Sequence, residues 1–234
     1  TVRSDIKMDL CTVISERFIP QALNLIQSYK INSFDQKVYL YYFNTNRTAL
    51  DVFTKLFGDQ VILIEVEKTC AHALEPRVFF YKVYAIRDCL TNYSSGMMYS
   101  DSANCLIQET DTLVNDLVDG SLFLSYNHPR LTNQYWTTSA CFKAMDCAGA
   151  EIMPQYWAGF QAYQRTEENL HFVDEWYEYM KDPVVALPDT TLSFPDGQKA
   201  PCIEHRQDQS AFSLLIHKHN RHQFLDLQKN AKYG

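Results

Sequence analysis

The feature that most restricts the fold is a set of apolar runs with almost no polar alternation. Lys37 to Phe43 reads KVYLYYF, Asp9 to Ile14 reads DLCTVI, and Gln60 to Val66 reads QVILIEV. A strand with one wet face alternates apolar and polar residues. A strand that is apolar throughout is covered on both faces, which is the signature of a parallel sheet. Helical patterns lie between the runs. Phe18 to Ile31 places Ile19, Ala22, Leu23, Ile26 and Tyr29 at helical spacing, with Pro20 in the first turn, where a missing N–H is harmless. Thr48 to Phe57 reads as a helix that stops at Gly58. Pro76 to Leu90 reads as a long amphipathic helix that delivers the chain to a fourth strand ending at Asp101. Strands and helices in alternation predict an α/β fold, with a mixed, mainly parallel central sheet flanked by helices.

The later half is less regular. Ser121 to Tyr126 reads as a strand, Tyr135 to Cys147 as one short helix, and Tyr156 to Tyr163 as a strand with a glycine inside it. Glu167 to Met180 is a helix with Leu170, Val173, Trp176, Tyr177 and Met180 on one side. Pro195-Asp196-Gly197 signals a turn within Asp189 to Ala200, and Asp208 to His217 is a helix that begins with an acid. We expect a polar arm over 1–8 and one domain over 9–234, divided into halves at 9–105 and 106–234.

Composition narrows the function classes. The 234 residues are 46% hydrophobic and 21% charged, so a sizeable core is available and global disorder is excluded. A net charge of −7 argues against a nucleic-acid binder, while leaving room for a local basic pocket. The many Tyr and Phe suit core packing first, and stacking on sugar or base second. The seven cysteines are odd in number and show no CxxC or metal spacing. We read them as buried free thiols in a reducing, cytoplasmic compartment. No signal peptide and no stretch long enough to span a bilayer is expected.

Chemistry concentrates in four segments. The central one is Tyr99-Ser100-Asp101-Ser102-Ala103-Asn104, an acid at the end of an apolar run. In open α/β sheets ligands bind just beyond the carboxyl ends of strands. A carboxylate there can hold a hard divalent cation, and the cation a diphosphate. By itself Asp101 has a commoner use, closing a strand in an Asx turn. The other segments are Pro76 to Lys82, Trp157 to Thr166, and Glu204-His205-Arg206-Gln207-Asp208-Gln209-Ser210-Ala211-Phe212-Ser213-Leu214-Leu215.

Together these segments resemble small GT-A-fold glycosyltransferases, of the kind found in polysaccharide synthesis and in large DNA viruses such as chloroviruses. The resemblance rests on the aromatic-Lys pair Tyr81-Lys82, the Tyr99-Ser100-Asp101 strand end, the Ala158-Gly159-Phe160 core, and the closing run from His205 to Leu215. It covers roughly positions 9 to 217 and implies a GT-A-like (Rossmann-like) fold. The implied activity moves a sugar, of hexosyl type, from a nucleotide-diphosphate sugar to a glycan or glycoprotein acceptor. UDP is the implied carrier and Mn²⁺ or Mg²⁺ the implied cofactor. Such proteins usually show Asp-x-Asp, and here the third position is Ala103. Asp101 is then the main carboxylate on the metal, with His217 or His219 the candidates for a further ligand and His222 beside them.

Donor contacts are expected from Thr12, Val13 and Tyr42 at the strand ends, from Ser100, Ser102 and Ala103, and from Lys82, Arg77 and Arg206. Arg77 and Lys82 are five apart, roughly 140° around a helix, so they point to different sides. Guanidinium forks suit phosphate oxygens, which favours Arg206. Trp157, Gly159 and Gln209 are expected near sugar or acceptor, Gly159 because it lets a backbone pass closely. Asp208 is the candidate catalytic carboxylate, ionised at the head of its helix and fit for general-base work; its alternative role is an N-cap. Two rival functions remain: a catalytically silent sugar-nucleotide binding module, and a nucleotidyltransferase. The second wants a glycine-rich basic loop after the first strand, and Ser15-Glu16-Arg17-Phe18 has no glycine.

Overall fold

A computed structural model describes residues 7–33, 35–106, 123–124, 127–187 and 202–221. They fall into two compact units that interleave along the chain. The first holds 7–67, 84–106, Phe123 and 159–170; the second holds 68–83, Leu124, 127–158, 171–187 and 202–221. Residues 68–83 thus join the second unit although they precede the Asp101 strand, and 159–170 return to the first.

The first unit is built on β1 (Asp9–Ile14), β2 (Val38–Tyr42), β3 (Val61–Glu65), β4 (Gly96–Ser100) and, much later in the chain, β8 (Phe160–Gln164). With the short β5 (Phe123–Leu124) they form a six-stranded sheet in the order β3-β2-β1-β4-β8-β5. β3, β2, β1 and β4 are mutually parallel, and β8 runs antiparallel to β4 with Gly96 opposite Gln164 and Ser100 opposite Phe160. The apolar runs are buried as their lack of alternation requires: every residue of β2 and β4 is buried. α1 (Ile19–Asn32) carries Pro20 in its first turn and buries Ala22, Leu25, Ile26 and Tyr29. α2 (Asp51–Phe57) ends at Gly58, whose φ of 57° with ψ of −139° lies in a region that favours glycine.

The expected helix from Pro76 to Leu90 is shorter at both ends. α3 spans Phe80–Asp88, because Glu75 to Val78 form a turn and Phe79 takes a left-handed φ of 61° that helical geometry cannot continue. At the far end Cys89–Tyr93 widens into a π turn. Arg77 therefore lies in an exposed turn and not on the helix, so the angular argument relating it to Lys82 does not apply.

In the second unit the single helix expected from Tyr135 to Cys147 is two: α4 (Asn133–Trp136) and α5 (Ser139–Ala144). Thr137 and Thr138 between them are extended, and the Thr138 hydroxyl caps α5 by accepting from the Cys141 N–H at 3.1 Å. The strand expected from Tyr156 to Tyr163 also divides. β7 (Pro154–Tyr156) pairs with β6 (Asn127–Thr132) in a separate two-stranded sheet, and β8 begins only at Phe160. Gly159 is thus in the break and not inside a strand. α6 (Glu167–Lys181), α7 (Pro183–Ala186) and α8 (Gln207–Lys218) complete the described elements. Phe172, Trp176, Phe212 and Leu215 form the buried heart of this unit, with the Trp176 and Phe212 rings 4.9 Å apart.

All seven cysteines are free thiols, but Cys105 is exposed and Cys70 and Cys202 are half-buried, so burial holds for only four. No described helix is long and apolar enough to cross a membrane. His222, most of Ser121 to Tyr126, and the turn at Pro195-Asp196-Gly197 lie outside the described residues.

Candidate functional site

The sheet order places Asp101 with some force. From β1 the chain steps to β2 and β3 on one side, and later to β4 on the other, so the order reverses between β1 and β4. Such a switch point opens a crevice at the carboxyl ends of its strands. Asp101 follows β4 directly at that end. Its Oδ1 accepts from the Tyr99 hydroxyl at 2.9 Å, and its N–H donates to the Gly159 carbonyl at 2.9 Å, one step beyond the β4–β8 ladder. The Asn104 N–H closes a turn onto the Asp101 carbonyl at 3.0 Å. Asn104 Nδ2 then ties the turn down, donating to Ser100 Oγ at 3.1 Å and to the Gly159 carbonyl at 3.1 Å. Gly159 therefore serves as the acceptor that fixes this strand end. Asn104, inside the quoted run but with no role expected of it, is the residue that secures this turn.

Asp101 is half-buried, Ser102 is buried and Ala103 is exposed. Thr12 in β1 is fully buried, and its hydroxyl has no hydrogen-bond partner among the described residues. Val13 is buried beside it in sequence. Tyr42 ends β2 with its hydroxyl accepting from Arg47 at 2.9 Å.

Metal capacity is limited. Among the described residues no group of three or more His, Cys, Asp or Glu side chains could hold an ion. The set at the end of β4 is one carboxylate with the Ser100 and Ser102 hydroxyls nearby in sequence. That fits an ion whose other ligands are phosphate oxygens and water, the usual state of Mg²⁺ at phosphates, and not a cage made by protein alone. The two candidate histidines are each engaged in the second unit. His217 Nε2–H donates to the Pro154 carbonyl at 2.9 Å, and its ring lies 5.5 Å from that of Tyr156. His219 Nε2 is 2.5 Å from Glu175 Oε2.

The second unit holds the other acid. Asp208 is in the first turn of α8 but is not its N-cap; Arg206 occupies that position without a side-chain cap bond. Its Oδ2 is 2.8 Å from Lys82 Nζ, and both side chains are nearly sealed from solvent, at 6% and 7% exposure. Two features hold the pair. The left-handed Phe79 lets Lys82 N–H bond back to its carbonyl at 3.0 Å and sets its ring 5.3 Å from the ammonium. Trp176 Nε1–H donates to the Asp208 carbonyl at 3.2 Å. No sequence signal announced this pairing, because the partners are remote in the chain. A phosphate approaching Lys82 has to share its ammonium with Asp208.

The neighbours of Asp208 are equally fixed. Gln209 Nε2 donates to Gln155 Oε1 at 2.6 Å. The Arg206 guanidinium lies 4.1 Å over the Trp136 ring, and its backbone N–H donates to the Trp136 carbonyl at 3.0 Å. His205, 1% exposed, accepts at Nδ1 from the Thr138 N–H at 3.4 Å and donates from Nε2 to the Val185 carbonyl at 2.7 Å. Burial lowers its pKa, partly opposed by the Val185 carbonyl. Trp157 is half-buried.

No family model and no curated protein matches the sequence. Solved structures do. The bifunctional glycosyltransferase WbbM, in its apo form, matches with a TM-score of 0.60 at 9% identity, over 97% of this chain and 40% of that chain. The galactosyltransferase LgtC, in complex with donor and acceptor sugar analogs, matches at 0.56 and 11%, over 89% of this chain and 70% of that one. Mouse xyloside xylosyltransferase 1 matches at 0.52 and 10%, over 95% and 86%. The chain spans well under half the length of WbbM. At such identities the likeness concerns architecture. The mixed α/β chain, with its mainly parallel sheet and helical flanks, has the fold of GT-A glycosyltransferases.

Proposed function

We propose that the chain is the catalytic part of a glycosyltransferase that moves a sugar, of hexosyl type, from a nucleotide-diphosphate sugar to a glycan acceptor. The observation that carries this reading is Asp101, held just past β4 at the point where the strand order reverses. UDP is the carrier we favour. A divalent ion, Mn²⁺ or Mg²⁺, would be held by Asp101 and would neutralise the leaving diphosphate. Thr12, with its unpartnered buried hydroxyl, is suited to a polar edge of the nucleoside.

Asp208 is the acid we assign to the reacting sugar or acceptor. Lys82, 2.8 Å from its carboxylate, fixes its orientation, a positioning role rather than a direct phosphate contact. Arg206, braced flat on Trp136, keeps a guanidinium fork that suits phosphate. Free thiols support a reducing, cytoplasmic setting; a virus-encoded origin belongs to the same reading and rests on the sequence resemblance alone.

One observation favours a second reading, a silent sugar-nucleotide binding module: a single carboxylate stands at the β4 end, with Ala103 where a second acid is usual. The test is release of free nucleotide from a panel of UDP- and GDP-sugars, with and without Mn²⁺. A transferase releases nucleotide from at least one donor, faster with metal and with a glycan present. Donor binding without release under any condition supports the silent module instead.

A further inference from the structure

The second unit holds a cavity of about 400 Å³ that the scheme above does not use. Phe142 and Ala148 give it an apolar wall. Around that wall stand Gln134, Thr137, Ser139, Lys143, Asp146 and Glu151. A second cavity, of about 350 Å³, shares Asp146 and Ala148 with the first and continues past Gly149 and Met153 to His217 and Lys218. The two cavities share two successive turns: one holds the left-handed Asp146 at φ 51° and is closed by the Cys147 N–H on the Phe142 carbonyl at 2.9 Å, the other holds Gly149 at φ 92° and is closed by the Ala150 N–H on the Cys147 carbonyl at 3.2 Å.

The lining selects a chemical class. An apolar ligand would cover the half-buried Glu151 carboxylate without offering it a partner, which is costly. A phosphorylated ligand in the first cavity would meet Asp146 and Glu151 against Lys143, and in the second the Lys218 ammonium is already paired with Glu175 at 3.2 Å. A neutral polyol fits, because each hydroxyl both donates and accepts, matching carboxylate, amide, hydroxyl and ammonium groups at once. A few placed polar groups beside an apolar wall, in a volume of this size, are the ordinary form of a small-ligand site.

The cavity is also joined to the acid by hydrogen bonds within the unit. The segment that supplies Gln134, Thr137 and Ser139 lies against the lead-in to α8. Ile203 N–H donates to the Tyr135 carbonyl at 2.8 Å, and Ser210 Oγ donates to the Trp136 carbonyl at 2.7 Å.

We propose that the paired cavities are a glycan subsite, holding sugar units of the acceptor remote from its reacting hydroxyl. That the polyol is a glycan rests on the transferase reading; that the site takes a neutral polyol does not. The test is saturation-transfer NMR on the full chain with lactose, cellobiose and maltotriose at millimolar concentration, without donor. At least one should bind. Glu151→Ala and Asp146→Gly, the latter keeping the left-handed turn, should each weaken that binding about tenfold, while Asp208→Asn should leave it unchanged. Metal-dependent release of nucleotide with water as acceptor, measured alongside, should be unaffected by Glu151→Ala. Failure of all three sugars to bind, or binding untouched by both cavity substitutions, overturns the subsite even if nucleotide is released. Binding with the expected losses but no release from any donor leaves the subsite standing and removes the transferase reading.

Discussion

The two acids singled out here sit in opposite environments. Asp101, in the first unit, is half-buried at the end of a strand and is held by one phenol and a backbone ladder. Asp208, in the second, is 4% exposed and 2.8 Å from a buried lysine. The difference follows from what each can do. A carboxylate that is to meet an incoming ion and diphosphate has to stay reachable. One that is to keep a fixed charge and direction can be sealed, provided a counter-charge is sealed with it, since an unpaired buried charge is prohibitively costly. Under the proposed function the first acid is a place of arrival, and the second is a group already paired and oriented before the reacting sugar meets it.

Stability measurements can break this contrast. The largest effect is expected for Lys82→Met, which strands the Asp208 carboxylate. Breaking a buried pair from one side typically costs about 3–5 kcal/mol, and denaturant unfolding should show it. The double variant Lys82→Met/Asp208→Leu should recover most of that loss, because a buried pair replaced by apolar groups of similar volume is often near neutral, yet it should remain without turnover. A Lys82→Met protein as stable as the parent would mean that the pair is not sealed. Asp101→Ala, by contrast, should cost about 1–2 kcal/mol, the scale of the Tyr99 hydrogen bond to a carboxylate; a loss as large as that of Lys82→Met would erase the distinction between the two acids.

A smaller effect concerns pH and the second unit alone. His205 is buried and neutral, with its pKa lowered from 6.5 by burial. The unfolded chain therefore takes up this proton first as pH falls through about 6.5, and stability declines below that point. His205→Gln cannot titrate, so its melting temperature should fall less than that of the parent between about pH 7.5 and about pH 5.5. Superimposable pH profiles would show that His205 does not contribute.

The first unit was largely readable in the sequence. Buried parallel strands leave continuous apolar runs, and β1 spans the residues of the DLCTVI run while β2 and β3 fall inside theirs. Pro20 and Gly58 mark helix ends by backbone chemistry alone. The second unit was less readable because its structure depends on remote partners. Nothing local in Pro76 to Phe79 states that Phe79 will turn left-handed, and the apolar content of Trp157-Ala158 hid the break between β7 and β8. Of the candidate site, the position of Asp101 directly after an apolar strand was legible. The Lys82–Asp208 pair was not: both residues were singled out, but for separate roles.

The central claim is that the arriving ligand is anchored by metal at Asp101 while Asp208 serves the chemical step. Titration calorimetry of UDP with Mn²⁺ into the parent, Asp101→Ala and Asp208→Asn proteins, each checked for folding by circular dichroism, tests it directly. Asn at 208 keeps an acceptor for the Lys82 ammonium but not its counter-charge, so that variant should lose stability, though less than Lys82→Met, and is assayed where dichroism shows it folded. The account predicts that Asp101→Ala loses the Mn²⁺-dependent part of UDP binding. It predicts that Asp208→Asn binds as the parent does while its turnover falls by about 10²-fold or more. Equal Mn²⁺-dependent affinity in the parent and Asp101→Ala would contradict it.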